Sequence, residues 1–226
     1  NMISFLVDDD NHDTSVSGGS ITAGIGFVCG VRCVVFVDDS GINAGALTAK
    51  SIDKALGCLD ISLKQKLPFI HLVESSGINL MNYTVEFWSN TGGMFYGLAK
   101  LSAAGIPTIA VLHGLSTAGG AYQPGMSDYV IGVKKNGMAA LAGPALLKAA
   151  TGEIAKNEEL GGSEMHSRVT GLVEYLADDD AHAIEIVRDL INKIDWNSKI
   201  VKRESIKFQE PIYDCVEIIG VVPIDY

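Results

Sequence analysis

The chain has 226 residues, 47% hydrophobic and 19% charged, so it can bury a sizeable core and does not read as disordered. Its net charge of −10 argues against a nucleic-acid binder, which carries a basic stripe, and any phosphate-bearing ligand would need a locally basic patch. Cys29, Cys33, Cys58 and Cys215 form no CxxC pair and have no histidine cluster beside them, so they read as small buried hydrophobes in a reducing compartment and not as metal ligands.

Residues 1–17 are polar and acidic and read as a flexible arm; Asn1 ahead of Met2 is not a natural start, so an excised domain is expected. No signal peptide is visible, and no run approaches the roughly 18 apolar residues of a membrane span. A cytoplasmic protein without membrane association is expected. Residues 20–28 and 31–37 flank Gly30 as a β-hairpin. Residues 47–66 show helical spacing in Ala49, Ile52, Ala55, Leu56 and Leu59, and Pro68 stops them before a strand at 69–73. Residues 85–104 read as a helix whose core side carries Phe87, Trp88, Met94, Phe95, Leu98 and Leu101, weakened in the middle by Gly92-Gly93. Strands follow at 106–112, 128–133 and 138–141, then a short helix at 145–150. A long helix is expected at 177–194, with Asp178-Asp179-Asp180 capping its start. Strands alternating with helices over short loops imply βαβ units. The periodicity fits an ordinary doubly wound α/β sheet and a spiral of strand, strand and helix equally well.

The run Ser116-Thr117-Ala118-Gly119-Gly120-Ala121-Tyr122 follows the strand at 106–112 and leads into a helix start. Such a start leaves backbone N–H groups free to hold an oxyanion, and two glycines let a ligand approach the main chain. A second strand end, Glu74-Ser75-Ser76-Gly77, has the same shape. Two backbone N–H donors about 3 Å from a thioester oxygen stabilise the enolate formed when the α-proton leaves. No G-x-S-x-G elbow, HExxH or P-loop is present.

Thr117-Ala118-Gly119-Gly120-Ala121-Tyr122, then Ala142 to Glu153 (AGPxLxKAATGE), then Glu159 to His166 (ELGGxxxH), carry a family resemblance. In that order and spacing the chain resembles the N-terminal half of the carboxyltransferase (beta) subunit of biotin-dependent acyl-CoA carboxylases, nearest the methylcrotonyl-/geranyl-CoA branch. The resemblance covers nearly the whole chain. It implies the crotonase (ClpP/crotonase-like) ββα spiral over residues 18–210, with residues 211–226 as a connector toward a C-terminal half. It implies an acyl-CoA or acyl-carrier thioester as substrate and carboxybiotin, on a partner carrier protein, as cofactor, with no metal in this chain. The implied partners are the C-terminal carboxyltransferase half, the biotin carboxyl carrier, biotin carboxylase and further copies of the chain in a homo-oligomer. A half-site of this kind should expose an apolar patch toward its missing partner.

On this reading Gly119, Gly120, Ser76 and Gly77 form the catalytic turns, with Gly119 and Gly120 in one oxyanion hole that faces either the thioester or the biotin oxygen. Ala118, Ala121, Tyr122, Gly143, Pro144, Lys148, Ala44 and Gly45 are the substrate-binding candidates. The sequence departs from the family at Asn43-Ala44-Gly45, where Lys-Gly-Gly is usual, and at Ser75-Ser76-Gly77, where Ser-Gly-Gly is usual. A cation and a glycine near the CoA approach are thus replaced, and one turn gains a Cβ; a carrier-tethered acyl group is one explanation. Blander readings stand beside these: Tyr122 as a core ring, Lys148 as a solvated charge, and His71, His113 and His166 as hydrogen-bonded structural residues. The alternative functions are a biotin-independent crotonase-fold decarboxylase of malonyl-type thioesters and a non-catalytic assembly module.

Overall fold

A computed structural model describes residues 19–79, 83–199 and 212. The expected arm at 1–17, Cys215 and the expected connector at 211–226, Ile212 aside, lie outside the described residues. Strands β1 (Ile21–Val28) and β2 (Val31–Asp38) form the expected hairpin, paired antiparallel from Ile21↔Asp38 to Val28↔Val31. The two turn residues, Cys29 and Gly30, both have positive φ, which matches the twist of the flanking strands.

From β2 onward the sheet is parallel. Strands β3 (Phe69–Val73), β4 (Thr108–Leu112), β6 (Tyr129–Val133) and β8 (Tyr175–Ala177) add in sequence, giving the order β1-β2-β3-β4-β6-β8. After each central strand the chain makes a second, outlying pairing before its helix. Leu47 follows β2 and Ile78 follows β3, and these two form a parallel bridge. Strand β5 (Leu115–Thr117) follows β4 and β7 (Met138–Ala140) follows β6, and these two pair in a small parallel sheet. Strand, outlying strand, helix is thus the repeating unit. That separates the ββα spiral from the doubly wound alternative.

The helices are α1 (Ala49–Gln65), α2 (Val85–Ala103), α3 (Gly119–Gly125), α4 (Pro144–Thr151), α5 (Asn157–Gly161), α6 (Ser163–Met165), α7 (Asp180–Ile194) and α8 (Trp196–Lys199). Thr48 caps α1 through the Ser51 N–H, and Thr84 caps α2 through the Phe87 N–H. The glycines in α2 have a packing reason. A Cβ on Gly93 would come within 2.9 Å of Leu56, and one on Gly97 within 2.8 Å of Leu59, so bare backbone lets α1 lie close against α2. Leu101, Ile109, Ile131 and Ile191 are fully buried between helices and sheet, each contributing about 1.5–3 kcal/mol of apolar burial. No helix among the described residues is long and apolar enough to cross a membrane.

Two of the boundaries that differ from the sequence reading have a local cause. The helix expected at 177–194 begins at Asp180, because Ala177 closes β8 and Asp179 sits in extended backbone as the N-cap, accepting from the His182 N–H at 2.8 Å. Asp178 instead pairs with Lys134, whose hydrogen bond and charge hold its carboxyl below the usual carboxylate range. The strand expected from 106 starts at Thr108, beyond Pro107, which lacks an N–H.

The α1 terminus gives a test. Lys66, its C-cap, is left-handed at φ 52°, ψ 50°. That backbone costs an L-residue about 1–2 kcal/mol, and glycine returns roughly 0.5–1 kcal/mol of this as unfolded-state entropy. Lys66→Gly is expected to stabilise the chain by ~0.5–1 kcal/mol and raise Tm by about 2 °C in a thermal melt. A lower Tm would contradict this account of the cap.

Candidate active site

Two strand ends meet at one place. The chain leaving β3 runs through Glu74, Ser75, Ser76 and Gly77, and the chain leaving β4 runs through β5 into Ala118 and α3. The Ser75 carbonyl accepts the Thr117 N–H at 2.9 Å. A Cβ on Gly120 would lie 2.6 Å from that same carbonyl oxygen, so only glycine fits there. A Cβ on Gly77 would lie 3.2 Å from the Thr117 oxygen and 3.5 Å from the Gly119 nitrogen.

Ala118 holds an unusual backbone (φ 49°, ψ −121°) and donates its N–H to the Ala140 carbonyl of β7 at 3.1 Å. Gly119 and Gly120 follow as the first two residues of α3, where no intrahelical acceptor exists. Their N–H groups have no hydrogen-bond partner among the described residues. A Cβ at Gly119 would meet nothing within 4 Å. The sequence reading drew its donors from both strand-end turns, and the Gly119–Gly120 turn is the one whose amides have no acceptor.

The Ser76 and Gly77 amides differ from expectation. The Ser76 N–H donates to the Ala44 carbonyl at 3.3 Å and the Gly77 N–H donates to Ser75 Oγ at 3.2 Å, so neither amide is free for a substrate oxygen. The reason lies in the loop behind them. Asn43, Ala44 and Gly45 all have positive φ (50°, 53° and 69°); the Ala44 and Gly45 carbonyls meet the Ser75–Gly77 turn, while the Asn43 carbonyl accepts from the Ala46 N–H. Ser75 Oγ donates to the Gly45 carbonyl at 2.8 Å, and a Cβ on Gly45 would lie 2.3 Å from the Glu74 oxygen. Ala44 and Gly45 therefore support a turn, and neither lines the cavity in front of Gly119.

In front of Gly119 lies a cavity of ≈ 640 Å³, a size suited to a small-molecule ligand. Ser76, Thr117, Ala118 and Gly119 form one wall; Trp88, Thr91, Gly92 and Phe95 of α2 form another; Ile78, Tyr122, Leu141, Ala142, Gly143 and Leu146 complete it. Among these lining residues there is no Asp, Glu, Lys, Arg or His. Tyr122 is half exposed at the cavity and packs on Phe95 with ring centroids 5.4 Å apart, so the core reading of this residue is corrected. Trp88, Leu141 and Leu146 are exposed beside it, which forms an apolar patch around the mouth.

Of the substrate-binding candidates, Ala118, Tyr122 and Gly143 line the cavity. Gly120, Gly77 and Ala121 do not line it. Pro144 opens α4 as its first residue, and Lys148 is exposed on α4, so neither faces the cavity. The sequence reading missed the α2 wall. Its signal was present: Trp88, Gly92 and Phe95 form a second face, offset from the buried face of Phe87, Thr91, Met94 and Leu98, wider than one core stripe needs.

The histidines are mostly structural. His166 donates from Nε2 to the Ala139 carbonyl at 2.7 Å and contacts Thr170 Oγ1 through Nδ1 at 2.8 Å. His71 donates to Asp38. His113 departs from expectation: its Nε2 is buried without a hydrogen-bond partner among the described residues, as is the Ser116 hydroxyl. Burial pushes the Cys33 and Cys58 thiols up to about 12, which keeps both protonated near neutral pH, while Cys29 is exposed in the hairpin turn and is not a buried hydrophobe.

Comparison with known proteins gives a consistent set of relatives. A family model for the carboxyl transferase domain matches residues 5–226. A probable biotin-dependent acyl-coenzyme A carboxylase beta2 subunit of Mycobacterium tuberculosis is 44% identical over 208 residues, covering 92% of this chain and 39% of the relative. A probable mitochondrial methylcrotonoyl-CoA carboxylase beta chain of Drosophila melanogaster is 38% identical, covering 92% and 39%. The crystal structure of the beta subunit of Pseudomonas aeruginosa (P. aeruginosa) geranyl-CoA carboxylase superposes with a TM-score of 0.80 at 44% identity, covering 92% of this chain and 39% of that one. A transcarboxylase 12S structure with methylmalonyl-coenzyme A and methylmalonic acid bound gives 0.71 at 27%, covering 91% and 40%. The chain thus spans about two-fifths of the length of these relatives.

The two glycines that open α3 should separate in a stability measurement. Gly119→Val has open space for its side chain and is expected to unfold within about 1 kcal/mol of wild type. Gly120→Ala must push against the Ser75 backbone and is expected to cost ~1–3 kcal/mol in a urea titration. Equal effects of the two substitutions would contradict the site geometry.

Proposed function

The chain belongs to the carboxyl transferase domain family, and on that premise we propose that it forms the acyl-thioester side of a biotin-dependent acyl-CoA carboxyltransferase. The observation that carries this reading is the unpartnered Gly119 amide in the wall of an apolar cavity with no ionised side chain in its lining, followed in the chain by the unpartnered Gly120 amide. In this reading the thioester oxygen accepts from those amides. They stabilise the negative charge that grows on it as the α-proton leaves, an effect on the order of 10²–10³ in rate per donor. The acyl chain lies against Trp88, Phe95, Ile78 and Leu146, which favours a neutral, apolar acyl group. Gly92, lacking a side chain, leaves room for it on the α2 wall.

Biotin supplies the activated carboxyl group and accepts the α-proton when it is bound. Its uncharged ring fits the apolar, exposed mouth by Tyr122 and Leu141, and no charged residue of this chain is assigned to it. The exposed patch of Trp88, Tyr122, Leu141 and Leu146 is where a C-terminal carboxyltransferase half, or a second copy, would cover the site. Biotin carboxyl carrier and biotin carboxylase are the further partners of this reading. The decarboxylase of malonyl-type thioesters is not favoured, because the relatives at 38% to 44% identity are beta subunits of acyl-CoA carboxylases.

Isothermal titration of the chain with a panel of acyl-CoA thioesters tests the binding side. Wild type is expected to bind apolar acyl-CoAs in preference to dicarboxylic ones, and Gly119→Val to lose that binding while remaining folded. The chain alone is expected to transfer no carboxyl group from carboxybiotin, and addition of the remaining half, in cis or in trans, to restore transfer. Efficient carboxylation by the 226 residues alone, or wild-type rates in Gly119→Val, would overturn the assignment.

A further inference from the structure

We propose that the buried Asp38–His71 pair is a positioning device that sets the spacing of the two strand-end turns. Asp38 is the last residue of β2, inside the sheet, and the Asp38 and His71 side chains are 2% and 4% exposed. Asp38 Oδ2 accepts from His71 Nε2 at 3.1 Å and from the Glu74 backbone N–H at 3.1 Å. The His71 ring is itself fixed edge-on against Phe36, with centroids 4.7 Å apart, and against Phe69 at 6.2 Å.

The consequence is an altered exit from the sheet. The β2–β3 ladder runs from Val34↔Phe69 to Val37↔Leu72. The Asp38 carboxylate takes the Glu74 N–H, and the chain leaves β3 under control of that side chain. The next residue is Ser75, whose hydroxyl donates to Gly45, whose carbonyl accepts from Thr117, and against which the Gly120 backbone lies. Asp38 is therefore one hydrogen bond and one residue from the carbonyl that spaces both turns. A leucine of similar size could fill the space without the cost of burying a carboxylate, so packing alone does not account for the acid. A fixed acceptor for one backbone amide does. The relevance to catalysis rests on the reading of Gly119 and Gly120 as oxyanion donors; the positioning itself does not.

Asp128 provides the control. It does a similar job at the opposite end of the sheet, accepting from Thr108 N–H at 2.9 Å, Thr108 Oγ1 at 2.8 Å and Ser102 Oγ at 2.8 Å. Amide hydrogen exchange of the full 226-residue chain, without ligand, is compared in Asp38→Ala, Asp38→Asn and Asp128→Ala. In Asp38→Ala the Thr117 amide and residues 74–79 are expected to exchange about tenfold faster, with α7 unchanged. Asp38→Asn, which keeps an oxygen toward Glu74, is expected to stay within about twofold of wild type at Thr117. Asp128→Ala should speed exchange near Thr108 and not at Thr117. Should Asp38→Ala fail to fold, Asp38→Leu fills the space without an acceptor and carries the same expectation. Unchanged Thr117 exchange in the variant without the acceptor, or an equal rise in Asp128→Ala, would overturn the proposal. Titration with an apolar acyl-CoA is then expected to show about tenfold weaker binding in Asp38→Ala than in wild type or Asp38→Asn. No binding by wild type would instead overturn the functional reading, which the exchange data do not depend on.

Discussion

The Ser75 carbonyl is the joint on which the site depends. Two separate pieces of chain are placed by this one residue: in the β5–α3 segment the Thr117 N–H donates to its oxygen and the Gly120 backbone lies against it, and its hydroxyl reaches Gly45. Two glycines are required for steric reasons at this joint, Gly120 against the Ser75 oxygen and Gly45 against the Glu74 oxygen. Gly119 is different, because its Cβ position faces open space; its bare backbone leaves room for a ligand and not for the protein.

The other side of the same turn is held from β7. The Ala140 carbonyl accepts the Ala118 N–H and fixes a backbone that a non-glycine residue rarely adopts, and strain of this sort persists only where the surroundings enforce it. Strand β7 is in turn held by the Glu159–His166 segment. Gly161 packs so closely that a Cβ there would lie 2.3 Å from the Ala139 oxygen; Gly162 bridges to Met138; His166 donates to Ala139. The motif containing two glycines and a histidine is thus a backing for the Gly119–Gly120 turn. It sits far from the turn in sequence and one strand away in space, which explains why the two occur together without either histidine nitrogen facing the cavity.

Much of this was legible in the sequence, and the limits have physical causes. The hairpin, α1, α2 and the central strands follow from spacing and from Pro68 and Pro107. Strands β5 and β8 are three residues each, too short to show alternation, and they form because neighbouring turns of the spiral offer them a partner. The unpartnered Gly119 and Gly120 amides were legible because a strand followed by small residues and a helix start leaves amides without acceptors. The engagement of the Ser76 and Gly77 amides was not, since it depends on three left-handed residues at 43–45 that only the folded loop reveals. Lys148 suggested a ligand contact by charge alone, and the helix that carries it turns it to solvent. Trp88 and Phe95 looked like core because periodicity registers apolar residues without distinguishing a packed neighbour from an empty cavity.

The cavity lining bears on how a main-chain site of this kind can work. A peptide N–H carries only a partial charge, and in water its attraction for an oxyanion is largely screened. Two such donors become effective when the site excludes water and carries no competing full charge that would reorganise around the reacting atoms. The walls formed by Trp88, Phe95, Ile78 and Leu146 provide the apolar surroundings, and the absence of Asp, Glu, Lys, Arg or His among the lining residues removes the competing charges. The mouth, with Trp88, Tyr122, Leu141 and Leu146 exposed, leaves one side of that environment wet. The donors are fixed by the Ser75 and Ala140 carbonyls before any ligand arrives, whereas the low dielectric they require depends on what covers the mouth. On the proposed reading, donor placement is therefore a property of this chain, and the strength of the hole depends on what covers the mouth.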